Sequence, residues 1–379
     1  MPAYDAFLLL SFGGPEGPDD VLPFLANVTR GRGVPEERLA EVAEHYYAYG
    51  GVSPINAQNR DLLKSIGAAF AANGIDLPLY WGNRNWHPFI EDTVRQLKAD
   101  GVQRAIAFVT SAYSSYSACR QYLDDIDRAV AAVGPGAPRI DKLRPYFNHP
   151  GFIEPFAAAV EAALAGLPAA AQENARLVFT AHSVPLGMAA ASGSVSTGTA
   201  LPGVAGGRYV AELEEAARLI SERVSISERA GGASLPYDLV FQSRSGPPSV
   251  PWLEPDVNDH LAALAKGTLT GGAAVPVPSA VVVVPVGFVS DHMEVVHDLD
   301  VEAAQTAASL GLPFARAKAP GPTPRFATMV SELVAERLSD AEPQALGSFG
   351  PRAYEDSALA GAAGGCPVDC CRYTPRRPA

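Results

Sequence analysis

The stretch Arg176-Leu177-Val178-Phe179-Thr180-Ala181, followed at once by His182-Ser183, decides the fold that this chain of 379 residues can adopt. Its apolar residues do not alternate with polar ones, which is typical of a parallel strand buried on both faces. Ligands of open α/β sheets bind at the carboxyl ends of strands. The stretch therefore predicts a buried parallel strand with a candidate functional histidine, His182, at its end.

Similar apolar runs recur along the chain and alternate with longer amphipathic stretches. The further runs are Ala6–Leu10, Leu77–Trp81, Arg104–Thr110, Leu239–Phe241 and Val281–Val286. Helical periodicity lies between or after them at Pro88–Ala99, Gln121–Val133, Pro155–Ala165, Tyr209–Val224 and Arg325–Arg337. Repetition of strand, helix and strand predicts an α/β fold with parallel sheets and right-handed crossovers.

The length favours two domains, at roughly 150 residues each. Turn-forming residues cluster near the middle, at 134–138 and 148–151. We predict an N-terminal domain over residues 1–150 and a C-terminal domain over 151–322, with a cleft between them. Residues 323–379 are predicted to form a C-terminal helix and an extension that packs back on the N-terminal domain.

Composition excludes several classes of protein. The formal net charge of −12 disfavours nucleic-acid binding, which requires a basic surface. Apolar runs are too short for a transmembrane segment, and residues 1–10 lack the features of a signal peptide, so we predict a cytoplasmic protein.

The sequence lacks three common catalytic or nucleotide-binding motifs. The first strand is followed by Phe12-Gly13-Gly14-Pro15 in place of a dinucleotide-binding glycine motif, and neither a P-loop nor a nucleophile elbow is present.

Four cysteines stand out by their spacing. Cys366, Cys370 and Cys371 lie within six residues near the C-terminus, and Cys119 is internal. In a large cytoplasmic chain such clustering indicates metal or iron–sulfur ligation more than disulfides. Zinc in a four-cysteine site is the alternative, although the C-x₃-C-C spacing is unlike two zinc knuckles.

His182 has a candidate partner in Glu294, which opens an acidic row with Asp298 and Glu302 at i, i+4 and i+8. On a helix these carboxylates would share one face and repel one another. The row can be a solvated surface or a path for cations or protons, and His182 alone could be a core or capping residue. A histidine facing a carboxylate suits a general base near neutral pH or a divalent metal ligand.

Two further segments could bind a ligand. Arg30-Gly31-Arg32-Gly33 is a candidate carboxylate anchor, because guanidinium groups pair with carboxylates. The aromatic segment His45–Tyr49, followed by Gly50-Gly51, could line a flat apolar ligand site. By its spacing alone, this segment is predicted to belong to the core.

At this point the sequence resembles the ferrochelatases. The motifs that carry the resemblance are Gly50-Gly51-Val52-Ser53-Pro54-Ile55, Ala181-His182-Ser183-Val184-Pro185, Phe241-Gln242-Ser243-Arg244, Trp252-Leu253-Glu254-Pro255-Asp256 and Pro285–Glu294. The similarity runs from about residue 6 to 335. It implies two Rossmann-like, chelatase-like domains that hold a porphyrin between them and insert Fe²⁺ with loss of two pyrrole protons.

The resemblance assigns roles residue by residue. His182 matches the catalytic histidine, Glu294 its partner, and Asp298 and Glu302 the acidic row that relays protons or metal, with Fe²⁺ as substrate at His182 and Glu294. Porphyrin-binding positions are matched by Phe12, Arg30, Tyr46, Ser53 and Tyr122. Phe12 departs from many cluster-free bacterial members, which have a tyrosine there that is able to ligate iron.

Within the family, the chain looks most similar to the actinobacterial branch. This implies coproporphyrin III as substrate, coproheme as product, and a [2Fe–2S] cluster on Cys119, Cys366, Cys370 and Cys371. We also expect a monomer that transiently contacts neighbouring heme-pathway enzymes. Alternatives are a protoporphyrin IX ferrochelatase, a cobalt chelatase on the same fold, and a non-catalytic haem carrier or iron–sulfur redox sensor.

Overall fold

The computed structural model describes residues 4–31, 33–193, 207–226, 235–246, 249–339, 341–351 and 370–374. Its strands form two four-stranded sheets in this described part of the chain. The strands are β1 (Ala6–Ser11), β2 (Leu79–Asn83), β3 (Arg104–Val109), β4 (Arg139–Lys142), β5 (Ala175–His182), β6 (Tyr237–Gln242), β7 (Ala280–Val284) and β8 (Phe314–Arg316).

Helices connect the strands and flank both sheets, which confirms the predicted α/β fold. The α-helices are α1 (Pro18–Val28), α2 (Glu36–Tyr47), α3 (Ile55–Ala72), α4 (Ile90–Ala99), α5 (Gln121–Val133), α6 (Pro150–Ala165), α7 (Ala169–Gln172), α8 (Leu186–Ala190), α9 (Gly207–Ile226), α10 (Val257–Leu264), α11 (Met293–Val295), α12 (Ala304–Ser309) and α13 (Pro324–Leu338). Two further segments, Tyr116–Arg120 and Val296–Ala303, are π-helices.

Both sheets share one topology. Their strand orders are β2-β1-β3-β4 and β6-β5-β7-β8, and all pairs are parallel. In each sheet, the strand that comes first in the chain, β1 or β5, lies between the next two strands of the chain. The strand order therefore reverses direction at this strand. Such a switch point is where open α/β sheets bind ligands. Phe12 follows β1 at one switch point, and His182 ends β5 at the other.

A shared apolar core joins the two sheets. Phe7 and Phe108 of the first sheet belong to the same buried cluster as Phe179 and Val284 of the second. Helices α3, α6, α9 and α13 contribute to this cluster, and α13 packs against both α3 and α6. The opposite faces of the sheets are covered by separate clusters, with α4 and α5 on the first and α10 and α12 on the second. The predicted domain boundaries stay a prediction.

The structure differs from the sequence-based prediction in two places. β4 and β8 were not predicted, and the acidic row begins on the short α-helix α11 with Glu294 but continues on a π-helix with Asp298 and Glu302. Within the described residues, no helix is long and apolar enough to cross a membrane.

Candidate active site

His182 is the last residue of β5, and its side chain is 32% exposed. The Nδ1 atom of its ring contacts the carbonyl oxygen of Ser183, which can only accept a hydrogen bond. The proton of the neutral imidazole is therefore on Nδ1, and the lone pair is on Nε2. Nε2 lies 3.8 Å from Oε1 of Glu294. The atom that can take up a proton or bind a metal thus faces a carboxylate.

Glu294 reaches this position from the short helix α11, in the second residue of that helix. Its side chain is 47% exposed, so water and solutes reach the pair. The backbone carbonyl of Glu294 accepts a hydrogen bond of 3.1 Å from Nε2 of Gln242, the last residue of β6. The strand that neighbours β5 thus positions the partner of His182.

Asp298 lies one helical turn beyond Glu294, in the π-helix. Its carboxylate accepts hydrogen bonds from Ser243 Oγ and, at 3.3 Å, from Gln242 Nε2. Burial, with help from the negative charges of Glu294 and Glu302, raises the pKa of Asp298 to about 7 and outweighs these hydrogen bonds. Asp298 can therefore gain and lose a proton near neutral pH.

Ser243 has a backbone conformation that non-glycine residues seldom adopt. Its φ angle is 60°, in the left-handed region. Strained residues of this kind persist where the surrounding structure holds them, often at functional sites. In this conformation the hydroxyl of Ser243 donates a hydrogen bond to Asp298.

Glu302 ends the acidic row at an exposed position near two histidines. Nε2 of His297 lies 3.6 Å from Oε1 of Glu302. The ring of His297 stacks on that of His45 from α2, with centroids 3.8 Å apart. Hydrogen bonds of the i to i+5 kind bring residues 297 and 302 onto one face of a π-helix. The end of the row therefore lies next to helix α2 of the first half of the molecule, the half that contains strands β1 to β4.

The first half supplies an aromatic wall opposite the acidic row. Phe12 is 38% exposed and packs edge-on against Phe24, whose ring also contacts Tyr46 at 5.9 Å. Burial, and to a smaller extent the charges of Glu294 and Asp298, raise the pKa of Tyr46. Tyr47 and Tyr49 are each 37% exposed, so the prediction that this aromatic segment belongs to the core is wrong.

The other predicted porphyrin-binding residues lie in different surroundings. Arg30 is exposed beyond the end of α1, whereas Ser53 is buried against Gly14. Tyr122 is buried on α5, and the guanidinium of Arg84 lies over its ring at 4.8 Å. The structure brings His182, Glu294 and Asp298 together, and it links Phe12 and Tyr46 to each other through Phe24. Arg32 lies outside the described residues.

The internal segment that carries Cys119 contacts the C-terminal segment that carries Cys370 and Cys371. Cys119 is buried in the π-helix Tyr116–Arg120, whose Tyr116 contacts the ring of Tyr373 at 6.5 Å. Cys371 is buried too, with its Sγ 4.0 Å from the carbonyl oxygen of Ser192. Cys366 lies outside the described residues. Among the residues that are described, no preformed group of three or more metal-ligating side chains is found.

Sequence reasoning assigned no role to Gln242, Ser243 or Tyr209, which hold the site together. Gln242 and Ser243 belong to a motif that carries the family resemblance and directly follow an apolar run, but their contacts with Glu294 and Asp298 were not predicted. Tyr209 donates a hydrogen bond of 3.0 Å to the carbonyl oxygen of His182 from a helix far along the chain. Nothing in the local sequence marks that contact.

Two parallel sheets of one topology, with a histidine–carboxylate pair at the carboxyl end of a strand, define a class of α/β enzymes that bind their ligand at a switch point. The ferrochelatase family profile matches residues 4–338. A coproporphyrin III ferrochelatase of Streptomyces griseus is 51% identical over 384 residues, covering 99% of this chain and 95% of the relative. One from Nocardia farcinica is 55% identical over 346 residues, covering 91% and 92%. A ferrochelatase of Rhodopirellula baltica is 49% identical over 379 residues, covering 100% and 96%.

The chain therefore belongs to the ferrochelatase family, and the resemblance read from its motifs is confirmed.

The raised pKa of Asp298 predicts a pH-dependent stability. The folded protein binds this proton more tightly than the unfolded chain, whose carboxyl titrates near 3.8. The stability from this group is therefore complete below pH 3.8 and is lost as pH rises through about 7. Asp298→Asn is neutral at every pH. Its free energy of unfolding, compared with that of the wild type, should therefore rise when the pH is raised from 4 to 8. Thermal unfolding at both pH values measures this.

The matched control is Asp61→Asn on the exposed surface of α3. Its difference from wild type should be the same at both pH values. An equal difference for Asp298→Asn at pH 4 and pH 8 would contradict the assignment of a raised pKa to this carboxyl.

Proposed function

We propose that this protein inserts Fe²⁺ into coproporphyrin III and releases coproheme, as a step of heme biosynthesis. The observation that carries the proposal is the pairing of His182 Nε2 with Glu294 across 3.8 Å, backed by Asp298. Relatives named coproporphyrin III ferrochelatase, 51% and 55% identical to this chain, support the choice of porphyrin.

Insertion of a divalent ion into a porphyrin releases two pyrrole protons, so the site needs a base. His182 Nε2 holds an available lone pair and accepts the two protons one after the other, passing the first on before it takes the second. The Glu294 carboxylate then stabilises the imidazolium that forms. Asp298, with a pKa of about 7, takes protons on toward Glu302 and solvent. The lone pair of Nε2 also suits an Fe²⁺ ligand, so metal and proton compete for one atom.

The porphyrin takes its place against the first half of the molecule. Phe12 and Tyr46 offer ring surfaces to the macrocycle, and Arg30 pairs with a propionate. Ser53 and Tyr122 support this wall from buried positions. Because Phe12 has no ligating atom, iron would receive no ligand from this position, whereas His182 Nε2 offers one.

The cysteines are proposed to hold a [2Fe–2S] cluster. Four thiolates are the usual ligand set, and Cys119, Cys366, Cys370 and Cys371 match that number. The donor set fits because the C-terminal segment packs beside the π-helix of Cys119, through the contact of Tyr116 with Tyr373. Iron stays ferrous during insertion, so the cluster supplies no electron to the reaction and its contribution is structural or sensory.

We place the protein in the cytoplasm as a monomer that makes transient contacts with other heme-pathway enzymes. Its porphyrin and Fe²⁺ substrates fit this setting, since both are small and are supplied in solution or by a donor protein.

The choice of porphyrin is tested by an anaerobic assay with Fe²⁺. Coproporphyrin III, which carries four propionates, should be converted with a kcat/KM at least about tenfold above that of protoporphyrin IX, a difference of ~1.4 kcal/mol. Metalloporphyrin absorbance measures the rates. Faster turnover of protoporphyrin IX would reverse the proposed substrate, and Co²⁺ insertion without Fe²⁺ insertion would indicate a cobalt chelatase.

The role of His182 is tested by His182→Ala. Loss of a general base should lower kcat by about 10²–10⁴-fold, while porphyrin binding, followed by fluorescence quenching, is retained. His87→Ala removes an exposed histidine of the first half and should leave turnover near wild type. Turnover of His182→Ala close to wild type would remove His182 from the mechanism.

The cluster is tested on protein purified without oxygen. Wild type should show visible charge-transfer absorption and contain two irons per chain, and Cys119→Ser should lose both. Ser117→Ala on the same π-helix is the control and should keep the spectrum. A colourless wild-type protein with one bound zinc would favour the four-cysteine zinc site instead.

A further inference from the structure

We propose that Tyr209 is a positioning residue for His182, whose catalytic role rests on the proposed function. Tyr209 lies in the first turn of α9 and is 5% exposed, so it is remote from bulk solvent. It acts on the backbone of His182 rather than on its ring. Its hydroxyl thereby keeps the imidazole aimed at Glu294.

The contact involves one peptide unit, the one that joins His182 to Ser183. Its carbonyl oxygen accepts a hydrogen bond of 3.0 Å from the Tyr209 hydroxyl. Its N–H group, on Ser183, donates one of 2.8 Å to the carbonyl oxygen of Gln242. Both polar groups of this peptide are thus held, from opposite sides, and the peptide plane cannot rotate without breaking one of them.

The orientation of this peptide controls the imidazole. The Nδ1 atom of His182 donates to the carbonyl oxygen of Ser183, the next carbonyl along the chain. Rotation of the 182–183 peptide would move that acceptor relative to the ring. The ring would then lose its fixed tautomer and the 3.8 Å approach of Nε2 to Glu294.

Tyr209 itself is firmly anchored, as a positioning residue must be. Its backbone N–H donates to Ser192 Oγ at 2.9 Å, where α9 begins against the end of α8. Its ring packs edge-on against Tyr113, whose hydroxyl donates to the carbonyl oxygen of Val286 at 2.8 Å. Burial raises the pKa of Tyr209, so the hydroxyl remains a donor at neutral pH.

The chain offers a close control in Tyr146. This tyrosine is 1% exposed, and its hydroxyl donates a bond of 2.9 Å to the carbonyl oxygen of Val109 at the end of β3. Tyr209→Phe and Tyr146→Phe therefore remove the same kind of bond, from a buried tyrosine to a strand-end carbonyl. They differ in whether that carbonyl belongs to the catalytic histidine.

The experiment compares both variants with wild type in steady-state turnover and in its pH profile. Tyr209→Phe should lower kcat by about ten- to a hundredfold, as expected for a misplaced catalytic group, with the KM for porphyrin unchanged. The pH of half-maximal kcat should shift, because the ring no longer holds a fixed relation to Glu294. Tyr146→Phe should keep both kcat and the pH profile of wild type.

Imidazole NMR of ¹⁵N-histidine protein gives a readout that does not depend on turnover. The His182 resonances, assigned with His182→Asn, should indicate Nδ1–H in wild type and a mixture of tautomers in Tyr209→Phe. If wild type inserts no iron, the proposed function fails, and this measurement still tests the positioning. A Tyr209→Phe spectrum and pH profile like those of wild type, or equal changes in Tyr146→Phe, would overturn the proposal.

A second variant covers the case in which Tyr209→Phe does not fold. Ser192→Ala leaves the Tyr209 hydroxyl in place and removes the side chain that anchors its backbone. It should shift the pH profile and the His182 resonances in the same direction as Tyr209→Phe. Wild-type behaviour of a folded Ser192→Ala protein would then count against the proposal.

Discussion

The side-chain amide of Gln242 is the constraint on which the site depends. Its Nε2 group donates to the Glu294 carbonyl oxygen and to Asp298, and its Oε1 atom accepts from Thr180. The residue is 1% exposed, so these bonds are made in surroundings of low dielectric, where each is strong. An amide does not titrate, and it therefore keeps its partners in place while protons move among the carboxylates. One strand end thus fixes β5, α11 and the π-helix relative to one another.

The two halves are joined beside the cleft as well as through the shared core. The side-chain amide of Gln58, on α3, donates to the Asp291 carbonyl oxygen at 3.2 Å and accepts from the Asp291 N–H at 3.0 Å. Tyr113 of the first half reaches the Val286 carbonyl oxygen in the second. The loop between β7 and Glu294 therefore takes its position from the first half. Together with the stacking of His45 on His297, these bonds hold the two halves together near the acidic row.

The hydrophobic pattern of the sequence predicts which segments are buried. It therefore locates the apolar strands and misses the strands that have no apolar run. β7 is apolar throughout and β5 is mostly apolar, and their positions were predicted within a few residues. β4 reads Arg139-Ile140-Asp141-Lys142 and β8 is three residues long, and as edge strands they show no apolar run. The π-helix was missed because carboxylates at i and i+4 also fit an α-helix. Contacts between distant segments, such as that of Tyr209 with His182, have no local signal at all.

The charge distribution explains how one cleft can take two substrates of opposite charge. The chain is acidic overall, and the row from Glu294 to Glu302 attracts a divalent cation while it repels a porphyrin carboxylate. In the proposed function the propionates lie away from the row, toward Arg30 and the aromatic wall of the first half. Because Asp298 has a pKa of about 7, the row also loses negative charge each time it holds a proton. In the proposed mechanism, protons that leave the porphyrin weaken the attraction for the next Fe²⁺ until they reach solvent, so proton release is coupled to metal entry on the side of His182.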